Sequence, residues 1–296
     1  MNLIPSYNCN FNCPFCVVHA KNDPRLLDLN WFEKELEHIG KVDRLNIIGG
    51  EPTLLPPDYL KRLIDICEQH SGRKPSMYTN LSSISPLFER VELNVSINPG
   101  ITDRYNEVFS NLLFLNQDFS INMIMTDELV KKGTGFLKRF LQMPHCKKLS
   151  ISKYTHFCGP DFTPQHDRYI AYMQELIEHK DKRIHVYPID AARNGYERDN
   201  SAEACAEVLP DNKYRISIRD FLFTPMNVFK EYDTWEELVK AYSEALSYRP
   251  EGKCFDCKVA PVCWKTHRTD AECEMMMNLC GLTGGKTIEH ISELQV

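Results

Sequence analysis

The chain lacks any apolar run approaching the roughly 20 residues that a membrane-spanning helix requires. Its 296 residues are 43% hydrophobic and 26% charged, the balance of a globular protein with a sizeable core. It also lacks an excess of positive charge. Lys and Arg number 35 against 41 Asp and Glu, a formal net charge of -6, so there is no general field for polyanions and nucleic acid is not an expected partner. The ten histidines show no metal-ligand spacing. Met1 runs almost at once into the strand-like Leu3-Ile4-Pro5, which leaves no room for a signal peptide. A cytoplasmic protein with no membrane partner is expected. Cysteine, by contrast, is abundant. Twelve in a chain of this length, without a signal, read as metal or cluster ligands rather than as a disulfide scaffold.

Three of them, Cys9, Cys13 and Cys16, fall in Cys9-Asn10-Phe11-Asn12-Cys13-Pro14-Phe15-Cys16, directly after the first apolar run. A fourth thiolate is missing. A structural zinc normally closes with four protein ligands, and the usual [4Fe–4S] site also has four cysteines. A cluster held by three keeps one iron open to something other than protein. A second apolar run, Leu45-Asn46-Ile47-Ile48, ends in Gly49-Gly50-Glu51-Pro52. Glycines at a strand end allow close approach of backbone to a ligand, and a carboxylate there can bind an ammonium group.

This pairing, in order and in spacing, resembles the radical S-adenosylmethionine (SAM) enzymes. The resemblance implies that Cys9, Cys13 and Cys16 hold a SAM-binding [4Fe–4S] cluster, with Phe15 just before the last thiol. Gly49, Gly50 and Glu51 would meet the methionine amine, with Pro52 turning the chain away. It further implies that Asn80, in a Thr-Asn pair ending a strand, borders SAM or substrate, and that Ser96 and Asn98 lie where ribose contacts arise. The glycine-rich adenine motif of many relatives is absent from Ile121–Thr126, where Met123 and Met125 read as packing residues.

The organisation agrees. Asn30 is the expected cap of a helix carrying Trp31, Leu36 and Ile39, followed by a strand at 44–48. Pro56–His70 is amphipathic, with Leu60, Leu63, Ile64 and Cys67 on one face. Strands follow at 76–80, 91–98, 120–125, 148–152 and 183–189, with helices near 103–116, 127–142 and 164–180. Repeating β-α units imply a parallel sheet with right-handed crossovers, ligands lying beyond the carboxyl ends of its strands. The fold class expected is α/β, a partial (β/α)₆ TIM-like barrel over residues 1–190. Cys67 and Cys146 read as core.

Residues 191–296 form a second expected unit: a hairpin across Pro210-Asp211-Asn212-Lys213, a helix at 234–246, and a Cys-rich end. Cys254, Cys257 and Cys263 have ligand spacing, which alone does not distinguish zinc from iron–sulfur. In this context the segment resembles the SPASM and Twitch extensions of radical SAM enzymes. That implies one auxiliary [4Fe–4S] cluster on Cys254, Cys257 and Cys263, with Cys273 as fourth ligand and Cys280 or Cys205 as alternatives. Cys158, after the sixth strand, reads as a loop thiol or, more sharply, as a hydrogen-atom donor or auxiliary ligand.

The function expected is reductive SAM cleavage followed by hydrogen abstraction, most simply an oxidative modification of a ribosomally made peptide. A dehydrogenase or carbon-skeleton enzyme for a sugar or nucleotide is the alternative, and a non-catalytic iron–sulfur protein the second. The expected partners are a peptide or small-molecule substrate, a flavodoxin- or ferredoxin-type reductant and, since no peptide-binding domain precedes the barrel, a separate peptide-recognition protein.

Overall fold

The computed structural model describes residues 1–16, 23–100, 102, 104–153, 162, 164–179, 181–187, 201–217 and 230–247. Strand β1 (Asn2–Leu3) leads to helix α1 (Leu29–Ile39), β2 (Asn46–Ile47), α2 (Pro57–Ser71), β3 (Ser76–Thr79) and β4 (Glu92–Ser96). Then come α3 (Tyr105–Leu113), β5 (Phe119–Met125), α4 (Asp127–Lys132), α5 (Lys138–Leu141), β6 (Cys146–Lys153), α6 (His166–His179) and β7 (Ile184–Tyr187). A one-turn helix α7 (Ala202–Cys205) precedes β8 (Ala206–Val208), β9 (Tyr214–Ile216), β10 (Glu231–Tyr232) and α8 (Trp235–Ser247).

The fold is mixed α/β, built on a sheet whose described strands run β10-β9-β8-β1-β2-β3-β4-β5-β6-β7. From β1 to β7 every neighbouring pair is parallel. The segments after β1, β2, β3 and β4 therefore emerge at one edge, as a partial barrel requires. Packing on this sheet fixes the helices. Phe32 and Leu36 of α1 and Leu60, Leu63, Ile64 and Cys67 of α2 are buried, the α2 face expected. On β5, Phe119, Ile121, Met123 and Met125 alternate inward, so both methionines are core. Cys146, at the start of β6, is buried as expected.

Two local expectations need correction. The cap of α1 is Asp28, whose carboxylate accepts the N–H groups of Asn30 (2.8 Å) and Trp31 (3.3 Å). The helix expected over 127–142 is three pieces, because Gly133 at φ 72° stops α4 before a 3-10 turn at Thr134–Leu137.

The expected hairpin is present as antiparallel β8 and β9, and it joins the barrel's own sheet. Strand β8 pairs in parallel with β1, and Ile4 N–H donates to Val208 O at 2.8 Å. Across the hairpin Arg215 and Glu207 form a buried ion pair at 2.6 Å. Tyr214 donates to Glu35 of α1, and its ring lies 5.6 Å from Trp31 and 5.7 Å from Trp235. Thr234 caps α8 through Glu237 N–H at 3.2 Å, also as expected. Among the described residues no helix is long and apolar enough to cross a membrane. Cys158, Cys254, Cys257, Cys263, Cys273 and Cys280 lie outside the described residues.

Candidate active site

The first loop at the carboxyl edge follows β1 and carries Cys9, Cys13 and Cys16, all half-buried and none in a disulfide. Cys16 N–H donates to Cys13 O at 3.1 Å across the turn at Pro14 and Phe15, which holds the last two cysteines in one tight turn. Phe11 is buried and pins the loop to the core, on which Cys9 and Cys13 also pack. Burial raises the Cys9 thiol, and nearby Glu51 and Cys16 add to this. Phe11 N–H at 3.4 Å and the Asn80 amide at 3.8 Å favour the thiolate instead.

The second loop follows β2. Gly49 (φ 74°) and Gly50 (φ 48°) adopt backbone that L side chains rarely take. The close approach they permit here is to the chain itself. A Cβ on Gly50 would fall 2.4 Å from Asn8 O and 2.6 Å from Ser6 O, and one on Gly49 would fall 2.5 Å from Ile4 Cγ2. Glu51 N–H then donates to Asn8 O at 2.8 Å. The Gly-Gly turn is thus docked under the stem of the cysteine loop.

Glu51 is 2% exposed, with its carboxylate in a ring of donors. Oε1 accepts from Thr53 N–H (3.0 Å), Thr53 Oγ1 (2.8 Å) and Thr79 Oγ1 (2.6 Å). Oε2 accepts from Asn80 N–H alone among the bonds described, at 2.7 Å. A carboxylate offers about four acceptor directions, so the remaining capacity is on Oε2. Burial pushes its pKa above the usual carboxylate range, and these hydrogen bonds oppose the shift without cancelling it. Pro52 is buried and opens a 3-10 turn at Pro52–Leu54.

Asn80 directly follows β3 and reaches the cysteine loop, donating to Asn10 Oδ1 at 3.1 Å. Ser96 ends β4 half-buried. Asn98 is 3% exposed; its Oδ1 accepts Ile124 N–H at 2.6 Å, bracing β4 against β5. The structure therefore gathers Cys9, Glu51 and Asn80 into one hydrogen-bonded unit with Gly50 packed against the same loop, while Ser96 and Asn98 stand further along the same edge. Sequence reasoning missed Thr53, Thr79 and Asn10. Thr79 could have been found, since a Thr at a strand end beside a buried carboxylate is its natural donor.

Among the described residues no three His, Cys, Asp or Glu side chains close round a single metal ion. Three half-buried thiols in one loop, the first hydrogen-bonded by two N–H donors, fit instead a polynuclear iron–sulfur cluster, whose cysteines ligate separate irons.

The model of the Radical SAM superfamily matches residues 3–132, the stretch that contains both loops, Asn80, Ser96 and Asn98. No curated protein matches the sequence closely enough to be called a relative. Among solved structures, native anSMEcpe with bound AdoMet and the Cp18Cys peptide is similar over 99% of both chains, at 14% identity and a TM-score of 0.68. Hexahistidine-tagged anSMEcpe with AdoMet gives 14% identity and a TM-score of 0.70, over 100% of this chain and 95% of that one. SuiB of Streptococcus suis, bound to its precursor peptide SuiA, gives 16% identity and 0.64, over 88% and 70%. At such identities the likeness is one of fold.

Proposed function

We propose that this chain is a radical SAM enzyme that oxidatively modifies a peptide. The observation that carries the reading is the docking of the Gly49–Glu51 turn under the cysteine loop at the carboxyl edge of a parallel sheet. Cys9, Cys13 and Cys16 would hold the [4Fe–4S] cluster. Glu51 Oε2, the oxygen with acceptor capacity left, would take the SAM ammonium, beside Gly49, Gly50 and Pro52. Ser96 and Asn98 would line the ribose end. Bound there, the cluster and SAM would supply reductive radical chemistry able to take hydrogen from an unactivated C–H.

The protein's share is to position and to exclude water. The buried Glu51 ring fixes the Gly-Gly turn, and the core residues beneath the loop keep the thiols half-shielded. Residues 191–296 would supply an auxiliary [4Fe–4S] cluster on Cys254, Cys257, Cys263 and Cys273, suited to accept the electron that a substrate radical loses. A flavodoxin- or ferredoxin-type protein would supply the first electron, and a separate protein could present the peptide. Two proteins of similar fold hold peptides, anSMEcpe with Cp18Cys and SuiB with SuiA, which supports a peptide substrate here.

The test is to incubate reconstituted, reduced protein and SAM with each product of the neighbouring genes in turn, following 5′-deoxyadenosine and peptide mass together. A peptide that loses hydrogen in step with 5′-deoxyadenosine supports the reading. Turnover on a sugar or nucleotide, with every peptide unchanged, would replace it.

A further inference from the structure

Asn80 stands where sequence reasoning put a SAM or substrate contact, yet its side chain faces Cys9. We propose that Asn80 is a positioning residue that sets the electron affinity of the N-terminal cluster, by donating an amide hydrogen to the Cys9 sulfur. The inference rests on the reading of Cys9, Cys13 and Cys16 as cluster ligands.

The geometry leaves the amide little choice. Asn80 Oδ1 accepts Ser82 N–H at 2.8 Å, and only the carbonyl oxygen can do that, so Nδ2 must be the atom that faces the loop. Nδ2 donates one hydrogen to Asn10 Oδ1 at 3.1 Å and has the other for Cys9 Sγ at 3.8 Å. Asn10 is held in turn, its Nδ2 donating to Ser82 Oγ at 2.9 Å while its Oδ1 accepts from the same hydroxyl at 3.3 Å. The Asn80 backbone is tied as well, through its N–H to Glu51 Oε2 at 2.7 Å. Rotation of the amide would break bonds on both sides.

A turn residue alone would not need this arrangement. The Oδ1 to Ser82 N–H bond is an Asx-type contact that Asp would make equally well. What Asp cannot do is donate to sulfur. With Phe11 N–H at 3.4 Å, the Asn80 amide gives Cys9 a second N–H donor. Hydrogen bonds to cluster sulfurs stabilise the more electron-rich, reduced state and so raise the reduction potential.

Asn80→Asp keeps the shape and the Ser82 contact while replacing the donor by an acceptor. Asn80→Ala removes the donor without adding charge. In the full-length, reconstituted protein without SAM, the potential of the N-terminal cluster is read by EPR-monitored titration. The Cys9/Cys13/Cys16→Ala protein identifies the signal by its absence. We expect Asn80→Asp to disfavour reduction at least tenfold, about 59 mV lower for a one-electron couple. Asn80→Ala should fall between it and the unaltered protein. Unchanged potentials in both variants, with that cluster's iron retained, would overturn this inference alone and return Asn80 to a turn or SAM-contact role. Iron content unaffected by the triple cysteine change would overturn the ligand reading, and this inference with it.

Discussion

At the scale of single residues, Gly72 and Gly50 differ in what an added side chain would strike. Gly72, which ends α2 at φ 69°, has no atom within 4 Å of an added Cβ. Gly72→Ala should therefore cost only the left-handed backbone penalty, roughly 1–2 kcal/mol, and leave the cysteine loop unaffected. Gly50→Ala carries the same penalty and adds overlap with two backbone carbonyl oxygens, at 2.4 and 2.6 Å, which cannot swing aside as a side-chain end could. It should displace the Glu51 N–H to Asn8 O bond and strip iron from the N-terminal site. Thermal melts and iron content on both variants check this. If Gly50→Ala matches Gly72→Ala in melting temperature and iron, the docking of the two loops is not what holds the site.

At the scale of elements, the two strands of the β8 and β9 hairpin are joined by a buried charge pair. Arg215 and Glu207 have side chains 7% and 9% exposed. Removing one partner strands the other charge in the core, so Arg215→Met should destabilise the protein by about 3–5 kcal/mol. Arg215→Met combined with Glu207→Leu should recover most of that loss, which denaturant unfolding of the two variants would measure. A double variant no more stable than the single would mean that the pair is worth more than hydrophobic replacements. The contacts around this hairpin also mark a limit of sequence reading. The strands, the α2 face and the hairpin were readable because each rests on a local pattern of apolar spacing and turn residues. The pairing of β8 with β1 and the Tyr214 bond to Glu35 join residues far apart in the chain, and no local pattern encodes them. The cap of α1 went to Asp28 because it, two residues before Asn30, reaches both orphan N–H groups.

At the scale of the whole molecule, the parallel sheet carries the cysteine loop, the Gly-Gly-Glu turn and Asn80 to one edge, and this convergence is what makes a single site of them. The motif residues were readable in sequence because cysteine spacing and a Gly-Gly-Glu run are rare and contiguous. The docking of Gly50 on the first loop was not, since the carbonyls of Ser6 and Asn8 that it meets lie on a segment about forty residues earlier. The proposed function requires this edge to cleave SAM reductively. The direct test is the yield of 5′-deoxyadenosine and methionine from anaerobically reconstituted, dithionite-reduced protein and SAM. Both products are expected in equal amounts, and neither from the Cys9/Cys13/Cys16→Ala protein. Iron-loaded, reduced protein that binds SAM yet forms no 5′-deoxyadenosine, or a triple variant that still forms it, would rule that function out.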